Sequence, residues 1–134
     1  MNVCAEKFVD LLKSRDFQFN TYETDSGDSV VDFPMKGKVV KMVFSGDTTQ
    51  YLSIYLVYER APEDKFAEAL FVCNELNCKY KWATFFIDDD KDIIIHDDAI
   101  LSVDTADEEA FELMVRILKI SDDVKPVIMR ALYA

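Results

Sequence analysis

Strand-like runs joined by very short connectors fill the first half of the chain, and they constrain its fold more than any other feature. The runs are Phe17–Thr24, Ser29–Pro34, Lys38–Ser45 and Tyr51–Arg60. Turn-forming residues separate them: Asp25-Ser26-Gly27-Asp28, Met35-Lys36-Gly37 and Gly46-Asp47. Connectors this short cannot hold a crossover helix, so neighbouring strands must run antiparallel. The pattern predicts a meander of three or four strands. Pro34 lacks an amide hydrogen, which places its strand at a sheet edge or makes Pro34 a strand end.

Helical periodicity brackets this meander. Residues 2–15 repeat Ala5, Phe8, Val9 and Leu12 behind Asn2, a good N-cap. A second helix is predicted from Pro62 to about Cys78, with Glu63 and Asp64 at its positive end. Strands Trp82–Asp88 and Asp92–Leu101 then form a hairpin around Asp89-Asp90-Lys91. Thr105-Ala-Asp-Glu108 reads as a capping box for a third helix, and residues 123–132 as a last helix with Pro126 in its first turn. The order is α-βββ(β)-α-ββ-α-α over one domain, residues 1–134, and the class is α+β with an antiparallel sheet.

Two strands are apolar on both sides. Trp82, Thr84 and Phe86 alternate with Ala83, Phe85 and Ile87; Tyr51, Ser53, Tyr55 and Val57 alternate with Leu52, Ile54, Leu56 and Tyr58. A sheet solvated on one face shows polar alternation there. Something therefore covers the second face of part of this sheet. Either the chain's own helices divide between the two faces, or a second subunit closes one of them, for which a self-complementary homodimer is the common solution. Tyr51, Tyr55, Trp82 and Phe86 are the residues expected at such a partner or dimer surface.

Charge narrows the function classes. The net charge is -11, and residues 88–134 hold 13 acids against 5 bases. An acidic surface without a Lys/Arg cluster repels phosphate backbones and anionic membranes, so neither nucleic acid nor membrane is an expected partner. No apolar run reaches the ~20 residues of a membrane span, and the N-terminal stretch is not a signal peptide. Cys4, Cys73 and Cys78 are odd in number and outside C-x-x-C spacing, which suits reduced thiols and a cytoplasmic location.

Candidate chemistry does not assemble. Asp88, Asp90 and Asp92 open like a calcium loop, but the sixth position is Ile93 rather than Gly and the twelfth is Ala99 rather than Glu. His96 and Asp97 are adjacent in a strand and point to opposite faces. There is no second histidine, no nucleophile elbow and no glycine-rich phosphate loop, so no catalytic, cofactor or metal residue is assigned. Asn74 and Asn77 stand out, since asparagine is a poor mid-helix residue. They read as a helix-end device tying the second helix to the next strand, with polar recognition of a partner strand as the alternative.

The Asn74-x-x-Asn77 helix end, the hairpin strands around the acidic turn, the helix opened by Thr105-x-x-Glu108, and the Tyr51–Tyr58 strand running into Pro62 resemble the YbjN family. That resemblance implies a bacterial sensory-transduction regulator with a fold similar to type III secretion chaperones, usually dimeric, with no established catalytic residues. The expectation is a non-enzymatic protein-interaction or chaperone-like regulatory module that binds a protein segment or its own second copy. A small-molecule-binding regulatory, or sensory, domain is the alternative, and no cofactor is expected.

Overall fold

The computed structural model describes residues 1–134. Its elements are α1 (Val3–Ser14), β1 (Asn20–Glu23), β2 (Ser29–Met35), β3 (Lys38–Ser45), β4 (Gln50–Arg60), α2 (Phe66–Lys79), β5 (Thr84–Ile87), β6 (Asp92–Leu101) and α3 (Ala106–Tyr133). Short 3-10 turns, Glu63–Lys65 and Val103–Thr105, precede α2 and α3. The strands form one six-stranded sheet in the order β1-β2-β3-β4-β6-β5, and every neighbouring pair is antiparallel. The α+β class holds, and the element order agrees with the expected one apart from its last two helices, with the optional fourth strand present.

Local chemistry explains the ends of α1. The Asn2 side-chain oxygen accepts from the amides of Cys4 at 2.8 Å and Ala5 at 3.1 Å, satisfying two donors that a helix start leaves free. At the far end Asp16 turns left-handed, φ 58°, while the Asp16 and Phe17 amides donate back to Lys13 and Leu12. Aspartate tolerates that conformation better than most residues. This cap takes Phe17 out of the first strand, which starts only at Asn20; Phe17 instead sets its ring against Phe33, 5.4 Å between centroids.

The core forms on one side of the sheet. Val31 and Phe33 of β2, Val40, Met42 and Phe44 of β3, Leu52, Ile54 and Leu56 of β4, and Ile93 and Ile95 of β6 are all buried there. The three helices cover this side with Phe8 and Leu12 of α1, Val72 and Leu76 of α2, and Met114, Ile117, Val124 and Ile128 of α3, all in the same cluster. Phe8 meets Phe44 at 5.6 Å between ring centroids. Residues on the opposite side of the sheet stand outside this cluster, including buried Val30 and Ile94. The helices therefore do not divide between the two faces.

Three local expectations are corrected. The third and last helices are one helix of 28 residues with Pro126 inside it. Proline removes a single amide hydrogen bond, and the stripe Ile120, Val124, Ile128 and Leu132 stays buried across it, which keeps the segment helical. The capping box is not formed: Thr105 makes no side-chain cap. Glu109 reaches back in place of Glu108, accepting from the Ser102 amide and the Thr105 hydroxyl, each at 3.1 Å. The strand expected from Trp82 begins only at Thr84. Pro34 sits in β2 beyond the stretch that β1 pairs, Ser29–Asp32, so its missing donor faces no neighbouring strand.

Candidate functional site

The register builds the uncovered face row by row. One row crosses all six strands as Asn20, Asp32, Lys41, Tyr55, His96 and Thr84. Beside it run Tyr22, Val30, Val43, Ser53 and Asp98, then Ser45, Tyr51 and Ile100. On the other side lie Val57, Ile94 and Phe86. Several large apolar members meet solvent: Ile100 is 70% exposed, Val57 54%, Tyr51 46% and Phe86 37%. These form two patches, Val57 with Phe86 and Tyr51 with Ile100, with the Tyr55–His96 and Ser53–Asp98 rows between them; exposed apolar residues repeated on one uncovered sheet face suit an interaction site better than scattered ones do.

The charges along these rows are paired. Lys41 Nζ donates to Asp32 Oδ1 at 3.1 Å and to the Tyr22 hydroxyl at 2.6 Å. Partial burial alone would lower the Lys41 pKa; the bonds to Tyr22 and Asp32 outweigh it and raise the value, keeping the ammonium charged. His96 Nε2 lies 2.9 Å from Asp98 Oδ1, which also accepts from the Ser53 hydroxyl at 2.6 Å. The imidazole stacks on Tyr55 at 4.7 Å and meets the edge of Phe86 at 6.0 Å. The i, i+2 spacing of His96 and Asp98 was the sequence signal for their shared face. Serine and histidine both use the same carboxylate oxygen, so Ser53 has no bond to the imidazole that would take its proton.

Of the residues expected at a partner surface, Tyr51, Tyr55 and Phe86 share this face. Trp82 does not: it lies before β5, under the Arg116 guanidinium of α3 at 5.2 Å from its ring centroid. Asn77 clamps β5, donating its Nδ2 to the Phe85 carbonyl at 2.9 Å and accepting from the Phe85 amide at 2.7 Å. β5 is an edge strand, so the amide occupies backbone positions that a further strand would use. Asn74 is exposed and has no part in this clamp.

The acidic hairpin tip does bring Asp88, Asp90 and Asp92 together, with carboxylate oxygens within 4.8 Å. Asp88 Oδ1 is already engaged as an acceptor from the amides of Asp90, 3.0 Å, and Asp92, 2.9 Å, so the carboxylate closes the turn. Cys4 and Cys73 are buried and Cys78 is exposed. Burial pushes the Cys73 thiol up to about 11. No helix is long and apolar enough to cross a membrane.

A family model described as "Putative bacterial sensory transduction regulator" matches residues 5–123, from α1 into the second half of α3. The chain belongs to the YbjN family. No curated protein matches it. YbjN membership supports a regulatory role in general, and the matched span includes every strand of the open sheet face.

Proposed function

We propose that this YbjN-family protein is a non-enzymatic regulatory module that works by docking to protein, and that the first occupant of its open sheet face is a second copy of the chain. The observation that carries this reading is a sheet face that no helix covers, with exposed Val57 and Phe86 at one end and exposed Tyr51 and Ile100 at the other, on either side of the Tyr55–His96 and Ser53–Asp98 rows. Charge favours a copy over a strongly basic partner. The chain carries a net -11, yet this face pairs Lys41 with Asp32 and engages the Asp98 carboxylate in bonds from Ser53 and to the His96 ring, so two copies can meet here without large repulsion.

The area fits as well. Six strands and a central strand of 8 residues define a face of roughly 24 by 27 Å, about 650 Å², against about 800 Å² per partner in a standard interface. A cytoplasmic setting accords with three unpaired thiols. A likeness to type III secretion chaperones, and with it the escort of a protein segment by the dimer, belongs to the same reading at the level of fold.

Light scattering on a sizing column tests it. The wild-type protein should elute near twice its 15.5 kDa chain mass at high micromolar concentration. The Val57→Glu, Ile100→Glu variant should elute at the mass of one chain with an unchanged circular dichroism spectrum. A wild-type monomer under those conditions would overturn the reading.

A further inference from the structure

The helix side of the sheet holds a feature that the docking reading does not use. A cavity of about 380 Å³ opens between the β2–β3 turn, β4 and the middle of α3. Its floor is apolar, formed by Met35, Leu56, Leu118 and Met129. Its rim carries Lys36, Lys38 and Lys125 against Glu59 and Asp122. Three of the chain's 15 basic residues thus ring one cavity, which is locally positive in a protein of net charge -11. Three lysines against two carboxylates leave the lining one positive charge in excess, which favours an anion over a cation at this site.

The cations are held differently. Lys38 is half-buried, with its ammonium over the Tyr58 ring at 4.9 Å and bonded to the Tyr58 carbonyl, which fixes its place at the wall. Lys36 crosses the mouth to Asp122 at 3.2 Å, an exposed pair of little net strength that an incoming anion can exchange. Lys125 is exposed and makes no ion pair. The Tyr58 hydroxyl is committed to the Ser121 carbonyl at 3.0 Å, so a ligand meets Lys125 and the exchangeable Lys36 as cations, with Glu59 as the carboxylate it must keep clear of.

We propose that this cavity binds a small amphipathic monoanion, a carboxylate with a compact apolar body. The size suits a small organic molecule, since the volume lies within the roughly 300–1,000 Å³ common to ligand pockets. The apolar floor requires an apolar body. The rim's small positive excess suits one charge rather than the two of a phosphate ester. No arginine fork lines the cavity to grip phosphate in two places. The site opens away from the uncovered sheet face, so it stands or falls separately from the dimer.

Octanoate is the probe, with octylamine as the cation of equal length. The chain has 5 methionines, and only Met35 and Met129 line the cavity. Methyl-labelled methionine NMR should show saturable one-to-one shifts at these two, with Met1, Met42 and Met114 unmoved. The Lys36→Glu, Lys125→Glu variant alters only exposed side chains and should lower octanoate affinity about tenfold while keeping the wild-type spectrum. Octylamine should bind more weakly than octanoate. The proposal is overturned by shifts spread over all methionines, by no shifts at millimolar octanoate, by equal binding of octylamine, or by unchanged affinity in the lysine variant.

Discussion

Replacing Asn77 by alanine removes both hydrogen bonds that hold the end of α2 to Phe85, at 2.9 and 2.7 Å. Each such bond contributes about 0.5–1.5 kcal/mol net. Asn77 is exposed, so water can take up the freed Phe85 groups, and the full penalty for an unsatisfied buried group does not apply. The expected loss is therefore about 2 kcal/mol. With a urea dependence near 2 kcal/mol per molar, the unfolding midpoint should fall by roughly 1 M at unchanged slope. Asn77→Asp keeps the acceptor for the Phe85 amide and loses the donor, so it should fall between alanine and wild type. Asn74→Ala serves as the control, since Asn74 is exposed and takes no part in the clamp; its effect should stay within about 0.5 kcal/mol. The reasoning fails if the alanine variants at 77 and 74 unfold at the same urea concentration.

Two further outcomes follow from buried titratable groups. Maleimide at pH 7 should modify Cys78 quickly in the folded protein and reach Cys4 and Cys73 only after denaturation, as mass spectrometry would count. The buried pair are closed to solvent, and Cys73 keeps its proton up to about 11. Asp97 has a folded-state pKa raised by burial, with the Asp98 amide and His96 opposing and the Asp98 carboxylate adding. The folded state thus holds this proton more tightly than the unfolded chain, and the group's contribution falls as pH rises from its ordinary 3.8 through the raised value. Asp97→Asn should therefore be more stable than wild type at pH 7, and urea titrations should show the gap closing as pH falls through that window.

Features set by a few neighbouring residues were legible in the sequence. Asn2 caps α1 because its oxygen reaches amides two and three residues ahead; Pro34, which reads as an edge-strand or strand-end residue, lies one residue before the end of β2, a strand flanked by β1 and β3. Features set by competition between distant groups were not. Close by, the turn Val103–Thr105 delays the start of α3 to Ala106, and Glu109 rather than Glu108 reaches the Ser102 amide and the Thr105 hydroxyl. Pro126 looked like a helix start, but burial of Val124 and Ile128 outweighs one missing bond. Trp82 fits the strand alternation, yet the strand begins two residues later and its ring turns to Arg116 on α3.

The candidate site shows the same division. Alternation placed Tyr51, Tyr55 and Phe86 on one face, because side chains in a strand must alternate. It did not decide which face the helices choose, since both sets in β4 are largely apolar. The clustering of His96, Asp98 and Ser53 needed the β4–β6 register, where Ser53 pairs with Asp98 and Tyr55 with His96. Pairing between strands so far apart in the chain leaves little local trace.

Cysteine cross-linking gives the most direct test of the open sheet face as the self-docking surface. In a background with Cys4, Cys73 and Cys78 replaced by alanine or serine, Ile100→Cys on the open face and Phe71→Cys on exposed α2 are compared under the same mild oxidant. The account expects the Ile100 variant to form a covalent two-chain species readily, and the Phe71 variant to stay a single chain. Equal cross-linking at both positions, or cross-linking at Phe71 alone, would contradict it.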